Sequence, residues 1–247
     1  MFAIFRKEIT GFFSSLTGYL VIIAFLLINS LVMWVLPGEW NILDNGYAGL
    51  DSLFYLSPWI FMFLVPAVTM RMIAEEKRLG TIELIYSRPI TERGIIYGKY
   101  FAAVILVLLA LLPGIIYYLS VYHLGETPGN LDKGGTLGSF IGLFFLASVY
   151  AAAGIYASSL TDNQVIAFIL AVFISFFLFI GFDSFAYLPG LKNLDEFVIR
   201  FGIDEHYKSI SRGVIDIKDV AYFIAVVVFF NEATRFHLVS RKWRSKN

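Results

Sequence analysis

Residues 94–100 come nearest in this sequence to a nucleotide-binding motif. They read Gly-Ile-Ile-Tyr-Gly-Lys-Tyr, so the two glycines are four positions apart. A phosphate-binding loop needs glycines five positions apart, a preceding strand, and a serine or threonine after the lysine to reach magnesium. Here Tyr100 follows Lys99, and no strand is predicted before them. We therefore expect the chain to bind no ATP, magnesium or other cofactor directly, and Lys99 to anchor a helix at the membrane interface.

Thiol, metal and acid–base chemistry have little support elsewhere in the chain. There is no cysteine, which excludes disulfides and thiolate ligands. The three histidines are remote from one another in sequence, so no histidine-based site is predicted. The apolar segments hold scattered polar residues with no histidine or acid beside them: Asn29, Ser57, Thr69, Ser148 and Ser175. An intramembrane enzyme is therefore disfavoured. The zero net charge argues against a nucleic-acid partner.

Glu232 and Arg235 form a charged pair inside an otherwise apolar segment. They stand three positions apart, so they share one face of a helix. Charged residues deep in lipid are rare. We interpret the pair as a self-neutralising ion pair near the end of a membrane helix. The alternative is an intramembrane site, such as the coupling acid of a secondary transporter, for which Glu232 is the candidate.

The composition is that of a membrane protein. Of the 247 residues, 58% are hydrophobic and 15% are charged, whereas soluble domains carry about a quarter charged residues. A membrane helix needs roughly 20 successive apolar residues and satisfies its own backbone hydrogen bonds. Five uncharged stretches meet this requirement: residues 19–36, 53–70, 100–119, 137–157 and 165–182. A sixth, residues 220–230, must continue through Glu232 to Val239. This predicts an all-α integral membrane protein with six transmembrane helices in one domain, residues 1–247.

The positive charges indicate how the spans are oriented. Thirteen of the 19 lysines and arginines fall on the side shared by the N-terminus, residues 71–99 and the C-terminal tail. The other six fall in the loops on the opposite side. Because lysine and arginine favour cytoplasmic loops, both termini are predicted to be cytoplasmic.

Two segments outside the spans have amphipathic patterns. In residues 1–18, apolar residues recur every three or four positions around Arg6, Lys7 and Glu8, which predicts a helix lying on the membrane surface. The alternative is a simple extension of the first span. The external segment 183–219 mixes apolar and charged residues, and it predicts short amphipathic helices packed on the outer ends of the spans.

The cytoplasmic segment 71–93 has more structural signals than a plain connection requires. Met72, Leu79 and Tyr86 are seven positions apart and predict a buried apolar stripe along a charged helix. Gly80 predicts a break, after which Thr81 can cap a second short helix. Pro89 ends that helix, and Thr91 is the predicted N-cap of the next long helix. The alternative is an ordinary interfacial helix with its charges in water.

Several of these motifs together resemble a known family. They are Glu-Glu-Lys-Arg-Leu-Gly-Thr-Ile-Glu-Leu at residues 75–84, Arg-Pro-Ile at 88–90, Gly-Lys at 98–99, Gly-Val-Ile-Asp-Ile-Lys-Asp-Val at 213–220 and Arg-Lys-Trp at 241–243. The chain resembles the ABC-2 type permeases of ABC transporters over its whole length. More narrowly, it is similar to the gliding-motility-associated ABC permeases of Bacteroidetes.

The resemblance implies an architecture and partners. Such permeases of the bacterial inner membrane have an interfacial helix, six spans and re-entrant outer helices, which would fall within residues 185–208. A coupling helix, here residues 72–84, docks on a separate ATPase subunit that binds ATP and magnesium. The expected docking residues are Glu75, Glu76, Arg78, Gly80, Thr81 and Glu83. A second permease subunit, alike or different, completes the pathway; in the gliding system it bears a large extracytoplasmic region. Glu232 departs from the apolar residues expected in the sixth span.

The leading functional hypothesis is a non-catalytic permease that couples ATP hydrolysis by its partner to transport or mechanical work in gliding motility. One alternative is an exporter of the same fold for a drug, lipid or polysaccharide. Another is a membrane scaffold that transports nothing. The substrate is not implied by any residue.

Overall fold

The computed structural model describes residues 1–127, 129–186 and 198–244, without the side chains of Thr17 and residues 241–244. Helices and their connections make up all of this described part. The helices are α1 (Phe2–Phe13), α2 (Leu16–Ser30), α3 (Ile42–Asn45), α4 (Asp51–Arg78), α5 (Thr81–Tyr86), α6 (Glu92–Leu111), α7 (Gly114–Leu124), α8 (Lys133–Leu160), α9 (Gln164–Phe176), α10 (Phe182–Ala186), α11 (Ile203–Ser211) and α12 (Ile217–Arg244). Short π-helical segments, Leu31–Val35 and Phe177–Gly181, extend α2 and α9.

Six helical stretches within the described part are long and apolar enough to cross a membrane. They are Gly18–Val35, Asp51–Arg78, Glu92–Leu124, Lys133–Leu160, Gln164–Phe185 and Ile217–Ser240. The prediction of an all-α fold with six spans is therefore confirmed. The second span runs through Pro58 and Pro66 without interruption, as membrane helices allow. We call the side that carries α1 and the end of α12 the termini side.

The fourth span, α8, lies at the centre of the bundle. Within its membrane-length window 72% of the residues are buried, against 22% in the first span and 28% in each of the fifth and sixth. Small residues let neighbouring backbones approach α8 closely. At Gly154, an added Cβ would come within 2.0 Å of Thr69 Oγ1 on the second span. The second span thus packs tightly on α8, while the first, fifth and sixth spans keep broad apolar faces open.

Helix α1 is separate from the first span, so the simple-extension alternative for residues 1–18 is wrong. Ser15 has extended backbone angles between α1 and α2. The buried side chains of Ile4 and Phe12 hold α1 to the termini side of the bundle. An added Cβ at Gly98 would lie 2.9 Å from the carbonyl oxygen of Met1 and 3.0 Å from Ile4 Cβ. Gly98, which resembled part of a phosphate loop, therefore permits close packing of α1 on α6.

The opposite side carries α11, an amphipathic helix within the segment where outer helices were expected. Ile203, Tyr207 and Ile210 are buried on one face of α11, against α8 and the outer ends of the spans. Tyr207 donates a 2.8 Å hydrogen bond to the carbonyl oxygen of Phe54. His206 Nδ1 lies 2.7 Å from Asp219 Oδ1 at the start of α12. Much of the expected re-entrant region, residues 187–197, lies outside the described residues.

Candidate functional site: the turn at Gly80 and the ion cluster behind it

The predicted break between two helices occurs at Gly80. Its φ of +69° and ψ of 2° place it in the left-handed region, which costs glycine little because it has no Cβ. Residues 72–78 prove to be the end of the second span rather than part of a separate coupling helix. The expectation that Thr81 caps α5 is wrong, since Gly80 occupies the N-cap position. Thr91 does cap α6, accepting a hydrogen bond from the Gly94 N–H at 3.2 Å.

The predicted apolar stripe is interrupted at the turn. Met72 and Ile82 are buried, with 2% and 9% of their surfaces exposed, whereas Leu79 is 62% exposed. The reason is that α4 ends at Arg78 and the chain changes direction at Gly80, so Leu79 no longer follows the face that carries Met72. The prediction that all three stripe residues are buried is therefore wrong for Leu79, and Tyr86 is only partly buried.

Glu76 points into the protein and takes part in an ion cluster. We define the buried ion cluster as Lys7 and Glu8 of α1, Glu76 of α4 and Lys99 of α6. Lys99 Nζ lies 2.7 Å from Glu8 Oε1 and 2.8 Å from Glu76 Oε1, and it donates a 2.6 Å hydrogen bond to the carbonyl oxygen of Met72. Lys7 also donates to Glu76 and lies 3.5 Å from Glu8. These contacts join three helices.

Two sequence-based expectations are corrected by this cluster. Glu76 is only 7% exposed, so its charge does not face the cytosol as predicted. Lys99 is fully buried at 0% exposure, so it is not an anchor in the membrane interface. A buried ammonium is tolerable only when its charge and N–H donors are satisfied. Three oxygen acceptors match the three donors of Lys99, and two acids balance two lysines across the cluster.

Lys7 forms the outer edge of the buried ion cluster. Its side chain is 55% exposed and reaches inward to Glu76. Burial lowers the pKa of Lys7, but the hydrogen bond to Glu76 and the charge of that carboxylate outweigh burial and leave the pKa raised. Lys7 therefore stays protonated and places its positive charge beside Glu76.

A second connection fixes the end of α4 to α8. Ser158 Oγ accepts hydrogen bonds from the N–H groups of Ile73 and Ala74, at 3.1 and 3.0 Å, and donates one to the carbonyl oxygen of Met70 at 2.8 Å. The Lys77 ammonium donates to the carbonyl oxygen of Ser159, near the C-terminus of α8, where the helix dipole favours a positive charge. The last two turns of α4 therefore move together with α8.

Beyond this fixed base, the turn presents a mixed charged and apolar surface. Arg78, Gly80 and Glu83 are exposed, and Glu75 and Thr81 are partly exposed. Leu79 and Leu84 add apolar area, being 62% and 67% exposed. A cavity of about 360 Å³ lies between this turn and α1, with Glu75, Thr81 and Arg71 among its lining residues. Of the six expected docking residues, five thus lie at or near the surface and Glu76 supports them from within.

The structure also places the Glu232–Arg235 pair. Arg235 Nη1 lies 2.9 Å from Glu232 Oε2, and Arg93 of α6 adds a contact of 3.1 Å from its Nε to Glu232 Oε1. Arg93 stands in the first turn of α6, so the group lies level with the start of the third span. The Glu232 side chain is 36% exposed, and two arginines compensate its charge. The two residues are paired as predicted and Arg93 is an added partner, but α12 continues to Arg244, so the pair lies within the helix and not near its end.

Six membrane-length helices, with an exposed helical turn fixed to the bundle on the termini side, define a multi-pass membrane protein. Residues 3–211 match the protein family described as ABC-2 family transporter protein, and the chain belongs to that family. It is thus a membrane permease component of an ABC transporter. Permeases of this family in general work with an ABC ATPase. No curated protein matches the chain.

Proposed function

We propose that this permease docks a separate ATPase subunit through the exposed turn around Gly80. The docking surface consists of Glu75, Arg78, Gly80, Thr81 and Glu83, with Leu79 and Leu84 supplying apolar contact. This assignment drops Glu76 from the surface, because its carboxylate is buried in the ion cluster. ATP and magnesium belong to the partner, and the termini side is the cytoplasmic side of a bacterial inner membrane.

The observation that carries the proposal is the contrast between the turn and its base. The turn is exposed and mixed in character, as protein–protein contacts require, while the base is fixed to α1 and α6 through Lys99 and to α8 through Ser158. A force applied at the turn is therefore transmitted through the end of α4 to α1, α6 and the central span α8. Such stiffness is needed to transmit nucleotide-driven motion into the membrane.

Charge reversal tests the docking surface. The variant Arg78→Glu with Glu83→Lys keeps the net charge but reverses the pattern on the turn, and charge patterns at interfaces govern orientation and selectivity. The matched control is Glu126→Lys with Lys133→Glu, a reversal of two exposed charges on the opposite side. We expect the first variant to lose the co-purifying ATPase and the control to retain it at equal expression. Equal ATPase recovery from both variants would contradict the proposal.

The narrower proposal is that the complex serves gliding motility, with a second permease subunit that bears a large extracytoplasmic region. Its support is the resemblance of the chain to the gliding-associated permeases, in which the motifs at residues 75–84, 88–90, 98–99, 213–220 and 241–243 occur together. Deletion of the chain from its native host should abolish surface spreading and leave growth in liquid culture unchanged. Retained spreading, together with loss of export of a drug, lipid or polysaccharide, would favour the exporter alternative. If deletion causes neither loss while the wild-type chain binds the ATPase, a scaffold would be favoured.

A further inference from the structure

A large cavity opens on the side opposite the termini. Its volume is about 850 Å³, and it lies between the start of α4, the start of α8, the end of the fifth span and α11. Small-molecule sites in proteins measure roughly 300–1,000 Å³ and combine apolar walls with a few placed polar groups. This cavity has both the size and the mixture of residues that such sites show.

The inner wall of the cavity is aromatic. Trp59 and Phe179 meet edge to face, with ring centroids 5.8 Å apart, so the second and fifth spans are joined by their rings here. Tyr55 and Phe54 line the same wall one turn nearer the mouth. Tyr207 closes it from α11, where its hydroxyl is fixed to the carbonyl oxygen of Phe54. The wall therefore presents several π faces and edges held in place by packing.

Carboxylates outnumber cations among the described residues around the cavity. Asp51, Asp183, Asp204 and Glu205 line it, against Lys208 and Arg212. The Lys208 ammonium is already engaged, since it lies 2.5 Å from Asp204 Oδ2. That hydrogen bond raises the pKa of Lys208 and keeps it protonated. Oδ1 of Asp183 is buried and has no hydrogen-bond partner among the described residues. Among the described residues, acids therefore outnumber cations in the lining of the cavity.

The charges and the aromatic rings lie at different depths. Asp51 is the first residue of α4 and Trp59 follows eight residues later, which corresponds to about 12 Å along a helix. The fifth span runs towards the outer side, so Asp183 lies nearer to that side than Phe179 does. Both walls therefore place their acids towards the mouth and their rings towards the membrane interior.

We propose that this cavity binds a small organic cation with an apolar or aromatic body. The cationic centre lies near Asp183 and Glu205, and the body lies against Trp59 and its neighbouring rings. Cations are attracted both by carboxylates and by the faces of aromatic rings, whereas an anion of the same shape meets net negative charge. The site does not depend on ATPase docking, since it lies on the opposite side from the turn at Gly80.

A pair of isosteric ions tests the proposal. Tetraphenylphosphonium and tetraphenylborate have similar shape and opposite charge. Binding of each to the purified chain in lipid nanodiscs is measured by equilibrium dialysis, with empty nanodiscs subtracted. We expect saturable binding of the cation at least tenfold tighter than that of the anion. Equal affinity for both ions, or no saturable cation binding, would overturn the proposal.

Variants locate the site. Asp183→Asn with Glu205→Gln should weaken cation binding at least tenfold, and Trp59→Leu should weaken it several-fold. Glu126→Gln removes an exposed acid on the same side that does not line this cavity, and it should bind like the wild type. Unchanged affinity in the double variant would refute the assignment.

Because the variants can misfold, the wild type gives a second readout: the cation should protect Asp183 and Glu205, but not Asp44, from an apolar carbodiimide. Absence of that protection counts equally against the site.

Discussion

Lys99 Nζ at the start of the third span lies 2.8 Å from Glu76 Oε1 at the end of the second, with both side chains buried. Glu8 of α1 shares the same ammonium at 2.7 Å. This arrangement converts the loop between two spans into a fixed corner, because moving the end of α4 separates the Glu76 carboxylate from the buried Lys99 ammonium. The exposed turn at Gly80 directly follows this fixed end of α4.

Loss of Lys99 should destabilise the protein strongly. In Lys99→Met, the acids Glu8 and Glu76 retain Lys7 as their one counter-charge among the described residues, and an uncompensated buried charge costs about 3–5 kcal/mol. The double variant Lys99→Met with Glu76→Met leaves the neutral pair of Lys7 and Glu8, so much of the stability should return. Apparent Tm in detergent measures both. Equal Tm for wild type and the single variant would show that the cluster contributes nothing to the corner.

Close packing at Gly98 predicts a different kind of sensitivity. Gly98→Ala places a Cβ 2.9 Å from the Met1 carbonyl oxygen and 3.0 Å from Ile4 Cβ. Overpacking of this kind costs about 1–3 kcal/mol, here by pushing α1 away from α6. The matched control is Gly11→Ala within α1, where nothing lies within 4 Å. It should be neutral or stabilising by up to about 1 kcal/mol, because alanine favours helix.

Proteolysis of the N-terminal segment provides the measurement for this pair. Limited digestion should release the segment before α2 faster from Gly98→Ala than from wild type, and no faster from Gly11→Ala. Indistinguishable digestion of the two variants would mean that α1 does not depend on its contact with Gly98.

The spans and the turn could be predicted because their causes are local. Twenty apolar residues in a row must be helical in lipid, and Gly80 and Thr91 act on their own backbone. The ion cluster could not, since Lys99 meets Glu8 from 91 positions away. A lysine beside tyrosines can lie at a membrane interface or in a buried cluster, and the local sequence does not distinguish the two. Arg93 was likewise missed as a partner of Glu232, because 139 positions separate them.

The Glu232 group should contribute little to stability. Its side chain is 36% exposed and those of Arg93 and Arg235 are 60% and 40% exposed. Exposed ion pairs contribute about 0–1 kcal/mol, so Glu232→Gln should insert normally and lower the apparent Tm only slightly. ATPase stimulation in the assembled complex should stay near the wild-type value. If Glu232→Gln inserts normally but abolishes that stimulation, the carboxylate is a working part of the mechanism and the neutralising interpretation is wrong.

Two adjacent serines at the end of α8 differ in their hydrogen bonds: one bonds to another helix and the other within its own. Ser158 Oγ contacts the backbone of three residues in α4, whereas Ser159 Oγ donates to the carbonyl oxygen of Tyr156 within its own helix. Both serines are fully buried, at 0% exposure. The substitutions Ser158→Ala and Ser159→Ala therefore remove the same hydroxyl from equally buried positions, but only the first removes hydrogen bonds between the second span and α8.

We expect Ser158→Ala to cost about 1–3 kcal/mol, because buried backbone groups lose a partner, and Ser159→Ala to cost less. The larger effect should be on coupling. In complexes with the ATPase, Ser158→Ala should leave subunit binding intact, since the turn at Gly80 is unchanged, and should reduce the transport-linked part of ATP hydrolysis. Measuring subunit recovery and hydrolysis in the same preparation separates the two. Equal hydrolysis in Ser158→Ala and Ser159→Ala would show that motion does not pass from α4 to α8 through this hydroxyl.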